Sequence, residues 1–113
     1  MEYKIKSKIW IEIDDKVFLG AGRIKLLKSL NITKSLSKSA KELGMSYKKA
    51  WNLIDSVNKS SKKPIVIKSV GGNSGGGTIL TPYGIKMIGV YDTINNNCWK
   101  HLDKQLMKLK IID

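Results

Sequence analysis

Ser46, Lys48, Lys49 and Asn52 are donors and cations whose spacing brings them onto the opening turns of one helix. Side chains of these types can grip phosphates and read base edges. The surrounding segment, Leu36 to Asn52 (LSKSAKELGMSYKKAWN), reads as a short helix, a turn marked by Gly44 and a second helix. That is the helix-turn-helix arrangement, which sets its second helix into a DNA major groove. Leu36, Ala40 and Leu43 recur on one face of the first helix, Ser37 is placed to cap it, and Gly44 suits a left-handed terminating residue. Ser46 is expected to cap the second helix. Its apolar stripe would be Tyr47, Ala50, Trp51, Ile54 and Val57, with Lys48, Lys49, Asn52 and Asp55 toward solvent. On this reading Trp51 is a core anchor that fixes the helix orientation. Any two lysine-rich amphipathic helices give a similar pattern, but here the basic residues fall where a recognition helix needs them.

Other chemistries find little support. Cys98 and His101 lie three apart in an expected helix, with no third group to complete a nucleophilic or zinc set, so a buried cysteine and a surface histidine are expected. No catalysis, metal or cofactor is expected. Bare amides in the run Gly71 to Gly77 could cradle an anion, but a nucleotide loop ends in Gly-Lys-Ser/Thr and this one continues Gly77-Thr78. The better reading is the tip of a β-hairpin wing between Ile65–Val70 and Thr78–Leu80. Gly72, Asn73, Ser74 and Gly75 would approach the DNA backbone there, with Lys68 as the nearest fixed positive charge.

These residues need a scaffold. Ile5, Ser7, Ile9, Ile11 and Ile13 alternate with Lys4, Lys6, Lys8, Trp10 and Glu12, and Asp14-Asp15 can turn the chain back into Val17-Phe18-Leu19 as an N-terminal hairpin. Trp10, on the polar face, is expected to pack against the last helix, with a subunit contact as the alternative. After Gly20 and Gly22, the residues Ile24, Leu26, Leu27 and Leu30 mark a first helix ending near Asn31. Thr81-Pro82 starts the last helical region, in which Asn95 to Asn97 predict either a kink or a division into two helices. Ile88, Tyr91, Cys98, Leu102, Leu106 and Leu109 form a stripe longer than one small domain needs, which predicts a dimer contact. The fold expected is α+β: a winged helix-turn-helix with an N-terminal β-hairpin and a long C-terminal dimerisation helix or helix pair. Residues 1–94 would form the DNA-binding domain and 95–113 a helical extension.

A net charge of +12 on 113 residues gives the chain a steering field for polyanions and predicts salt-sensitive binding. No apolar run approaches the roughly 20 residues of a membrane span. Met1 to Lys8 is too polar for a secretory signal, and a cytoplasmic protein without membrane contact is expected.

Three segments carry a more specific resemblance: Trp10 to Gly20 (WIEIDDKVFLG), Gly44 to Trp51 (GMSYKKAW) and Gly71 to Gly84 (GGNSGGGTILTPYG). They resemble the N-terminal winged-helix domain of the molybdate-responsive, ModE-type transcription regulators, distant relatives of the LysR-type DNA-binding domain. The resemblance spans nearly the whole chain and weakens after Ile94. It implies a homodimer on a palindromic double-stranded operator, with Ser46, Tyr47, Lys48 and Lys49 in the recognition helix and Gly71 to Gly77 in the wing. Ser37 matches a family serine opening the first helix of the motif. Lys34 stands where members often have glycine, so a differently built turn is expected there. Family members carry molybdate-binding domains after this one, whereas this sequence ends at Asp113. The expectation is therefore a regulator that does not itself sense molybdate, acting alone or with a separate sensor protein. A sequence-indifferent architectural DNA-binding protein is the alternative.

Overall fold

The computed structural model describes residues 2–69 and 77–110. The elements run β1 (Trp10–Ile13), β2 (Lys16–Gly20), α1 (Ala21–Thr33), α2 (Leu36–Glu42), α3 (Tyr47–Ser60), β3 (Val66–Ser69), β4 (Gly77–Leu80) and α4 (Pro82–Lys110). This is a winged helix-turn-helix with an N-terminal hairpin and one long C-terminal helix.

Strands β1 and β2 are antiparallel and joined through Asp14 and Asp15, both at positive φ (51° and 65°), the conformation of the tight hairpin turn whose twist matches the strands. Pairing jumps from Ile11↔Leu19 to Glu12↔Val17, leaving Phe18 as the extra residue of a bulge. The bulge lets consecutive Phe18 and Leu19 both enter the core. Arg23 secures the spot by donating to the carbonyls of Val17 (2.7 Å) and Phe18 (3.2 Å), and partial burial lowers its pKa below the ordinary guanidinium value. The alternation continues upstream of β1, with Ile5, Ser7 and Ile9 half-buried between exposed lysines. Trp10 falls on the outer side of this alternation with Glu12. It is 55% exposed and donates through Nε1 to the Glu12 carboxylate at 2.7 Å, so it does not pack on α4 as expected.

The core lies where α1, α2 and α3 meet β2 and the base of the wing. Ile24, Leu26, Leu27 and Leu30 come from α1, Ala50, Ile54 and Val57 from α3, and Ile65, Val66 and Leu80 from the wing. Buried Ser39 of α2 sits 2.8 Å from both the Ser29 and Thr33 hydroxyls of α1, accepting from Ser29 and donating to Thr33. A satisfied hydroxyl in the core costs little, whereas an unpaired one would be expensive. Lys34 ends α1 at φ 55°, ψ 24°, donating to the Leu30 carbonyl at 2.9 Å. Lysine adopts the left-handed conformation that glycine takes freely, at a cost of about 1–2 kcal/mol.

Helix α4 docks by its first turn. Thr81 donates from its backbone to the Ile65 carbonyl (2.9 Å) and from its hydroxyl to the Pro64 carbonyl (2.7 Å), and the same hydroxyl accepts from Gly84 N (2.9 Å). The helix then runs unbroken through Asn95 to Asn97, which settles the earlier choice in favour of one helix. Asparagine costs only about 0.7 kcal/mol relative to alanine in a helix interior. Contacts with the first residues of the chain span the asparagines: Tyr91 donates to the Ile9 carbonyl at 3.2 Å, and the Ser7 hydroxyl lies 3.9 Å from the Cys98 sulfur. The projecting helix lengthens the molecule to 63 × 30 × 21 Å.

Two glycines of α4 separate docking from propensity. A β-carbon on Gly84 would run into the Ile65 carbonyl, whereas one on Gly89 would meet nothing within 4 Å. Gly84→Ala should therefore lose about 1–3 kcal/mol in urea unfolding, and Gly89→Ala should gain about 0.5–1 kcal/mol.

Candidate nucleic-acid interface

The turn between α2 and α3 fixes the reading helix. Gly44 at φ +67° lets its own N–H reach the Lys41 carbonyl (3.2 Å) and Met45 N reach the Ala40 carbonyl (2.9 Å), closing α2 in a Schellman motif. Ser46 then caps α3, its hydroxyl accepting from Lys49 N at 3.1 Å. At the start of α2 the capping residue is Ser35, which accepts from Lys38 N at 3.2 Å, and not Ser37. Buried Leu36 has to be the first helical residue to reach the core, so Ser37 already lies inside the first turn, 3.2 Å from the Ser35 hydroxyl and exposed.

On α3, Ala50, Ile54 and Val57 are buried while Ser46, Tyr47, Lys48, Lys49 and Asn52 are all exposed. The expected apolar stripe was too wide. Tyr47 is 56% and Trp51 44% exposed, so Trp51 is not a core anchor. Fully buried Ala50 holds the inward position, and its size lets α3 pack closely where an indole would not fit. Tyr47 and Trp51, one turn apart, instead face the wing. With Leu36, Ile54, Ile67 and Thr78 they line a cleft of about 170 Å³ between α3 and the β-strands. Across it stands exposed Lys68, opposite Thr78 in the antiparallel wing. Tyr47 also borders a more polar cleft of about 180 Å³ with Lys34, Ser35 and Ser37. Asp55 pairs with Lys59 at 2.8 Å, which offsets the one carboxylate on this side of α3. The structure thus gathers Ser37, Tyr47 and Lys68 around adjoining clefts and sets Lys48, Lys49 and Asn52 on the outer face of α3. Gly72, Asn73, Ser74 and Gly75 lie outside the described residues.

Two connections that sequence reading did not single out hold the wing in place. Asn58, in the last turns of α3, donates to the Val66 carbonyl (2.8 Å) and accepts from Ile65 N (2.9 Å) and Val66 N (3.0 Å). Thr78 N donates to the Lys34 carbonyl at 3.0 Å, and a β-carbon on Gly77 would come within 2.6 Å of that oxygen. An asparagine shortly before a Pro-led strand is the signal that could have pointed to the first of these.

Along α4, Tyr91 is buried within the protomer, and Ile88, Cys98, Leu102 and Leu106 are half-buried. Leu106, Trp99 and Asp103 border a cleft with Tyr3 to Lys6. Leu109 is 59% and Met107 70% exposed. His101 is exposed, and among the described residues no group of three or more His, Cys, Asp or Glu could hold a metal.

The chain is similar to the transcriptional dual regulator ModE of Escherichia coli K12, 39% identical over 84 residues that cover 74% of this chain and 32% of that protein. It is 42% identical over 76 residues to the molybdenum-pterin-binding protein MopB of Rhodobacter capsulatus, covering 67% of this chain and 28% of MopB. To the molybdenum transport protein ModE of Azotobacter vinelandii it is 33% identical over 98 residues, covering 87% and 36%. The chain thus spans about a third of the length of these relatives. No protein-family model matches it.

Truncation of Asn58 and of Trp51 should cost stability to different extents. Asn58→Ala strands backbone groups of Ile65 and Val66 and should cost about 2–3 kcal/mol in urea unfolding. Trp51→Ala, on the rim, should cost about 1 kcal/mol or less. A Trp51 variant that unfolds as readily as the Asn58 variant would return the indole to the core.

Proposed function

Since the chain carries a winged-helix domain of the ModE type, we propose that it binds double-stranded DNA sequence-specifically as a homodimeric transcription regulator. The observation that carries this reading is the N-terminal half of α3, whose polar and basic residues all face outward from a helix fixed by Ser46 and Gly44. In a helix-turn-helix these positions reach base edges. Lys48, Lys49 and Asn52 enter the major groove, while Ser37 and Lys68 hold phosphates on either side. The wing segment with Gly72, Asn73, Ser74 and Gly75 follows the backbone. The net charge of +12 supplies the long-range attraction and the salt dependence.

The dimer contact belongs to α4, where exposed Met107 and Leu109 extend the half-buried Ile88, Cys98, Leu102 and Leu106, with Tyr91 anchoring the helix to its own core. A two-fold axis through these helices presents two α3 helices to half-sites about 34–36 Å apart, or a multiple of that, on a palindromic operator. Among the described residues no helix is long and apolar enough to cross a membrane, and the compartment proposed is the cytoplasm. The name of the Azotobacter vinelandii relative makes promoters of molybdenum-transport genes the first place to seek the operator.

Selection of bound fragments from genomic DNA, followed by anisotropy titration on the recovered duplex, tests the proposal. Excess random duplex at moderate salt should leave the complex largely intact; displacement by random duplex would identify an architectural binder instead. Lys48→Ala and Lys49→Ala should each weaken operator binding without changing thermal stability. Lys68→Ala should lower the salt slope by about one unit. Sedimentation at micromolar concentration should give twice the chain mass; monomer both free and on DNA would remove α4 from the interface.

A further inference from the structure

The cleft between α3 and the wing is an apolar place on an otherwise basic reading surface. Tyr47 and Trp51 show about half of their surface to solvent and share its wall with Leu36, Ile54 and Ile67; Lys68 lines it too, while Lys48 and Lys49 are exposed on the outer face of α3. Neither aromatic is needed to fill the core, which closes over Ala50 and Val57 without them. The lysines favour a polyanion, but most of the cleft wall is apolar, with Asp55, Asn58 and Thr78 as polar members beside Lys68. What the major groove offers to an apolar wall is the C5-methyl group of thymine.

Resting on the DNA-binding reading above, we infer that Tyr47 and Trp51 are specificity-determining residues that seat a thymine methyl of the operator in this cleft. The two rings are one helical turn apart, so they approach neighbouring base pairs from the same side of α3. The seat is rigid because both of its walls are fixed. Ser46 caps α3 directly before Tyr47, and Asn58 ties α3 to the strand that carries Ile67 and Lys68. Specificity then has two parts: hydrogen bonds from Lys48, Lys49 and Asn52 on the outer face, and methyl recognition on the face toward the wing.

Deoxyuridine, which lacks only the methyl group, tests this. Starting from a duplex recovered by selection, each thymine is replaced singly by deoxyuridine and affinity measured for the wild type, Tyr47→Ala, Tyr47→Phe and Trp51→Ala. One or two positions per half-site should lose roughly fourfold in the wild type, the worth of one buried methyl. The same replacement should have no effect on at least one of the two alanine variants, whose affinity for the thymine duplex is already reduced. Tyr47→Phe, which keeps the ring, should retain the methyl effect, and thermal unfolding should show every variant folded. An enriched duplex indifferent to deoxyuridine at every position would overturn the inference and leave sequence-specific binding standing. So would a methyl effect that persists unchanged in both alanine variants. Failure to enrich any duplex over random would overturn the DNA-binding reading, and this inference with it.

Discussion

The side-chain amide of Asn58 sets the relation between the two parts of the reading surface. It offers both a donor and an acceptor at the end of α3 and spends them on the backbone of Ile65 and Val66, where the wing begins. These groups would otherwise end a strand without partners, so the bond pattern follows from the general need to satisfy buried backbone. Its geometric effect is larger than its energy. With α3 fixed by its cap at Ser46 and the first wing strand fixed at Asn58, the distance between helix and hairpin is no longer free to vary.

The second wing strand is fixed from the opposite side. Thr78 N is held by the Lys34 carbonyl, and Gly77 is small enough to let the two backbones approach. Lys34 presents that carbonyl from a left-handed residue, so conformational cost at one position is repaid by a contact to an element far along the chain. Thr81 completes the frame by linking the end of the wing to Pro64 and Ile65 and to the start of α4. Wing, recognition helix and long helix are thus joined through backbone groups near Ile65, and side-chain changes on the exposed face of α3 leave that junction untouched.

Features decided within a few residues could be read from the sequence. Gly44 and Ser46 do what their types predict because turn and cap chemistry are local. The alternation from Ile5 to Ile13 is also visible, since strand period and burial agree. Errors arose where a neighbour distant in sequence decided the outcome. The helical period alone allowed Trp51 to face inward, but close packing around Ala50 reserved that side for small residues. Ser37 had the right chemistry for a cap, yet the burial of Leu36 goes with a helix start two residues earlier than such a cap requires. Asn95 to Asn97 had the composition of a break, and contacts from residues 7 and 9 carried the helix across it. Asn58 has only a weak local marker, the Pro-led strand shortly after it, and the backbone groups it holds are brought to it by the fold.

The extended segment before β1 gives the molecule a second level of cooperativity. It lies along α4 by sparse contacts, a hydroxyl near Cys98, a carbonyl held by Tyr91 and a loose apolar cleft at Leu106, while the winged core is closed by fully buried leucines. Detaching that segment exposes little of the core, but it removes from the outer half of α4 its cover within the protomer. The two are therefore one unit of local opening, with a free energy below that of global unfolding. In amide-exchange terms, protection along α4 should fall in a step after Tyr91. A partner helix that covers the outer half would raise protection there and in the segment before β1 together, so the chain's first residues would register assembly at its far end.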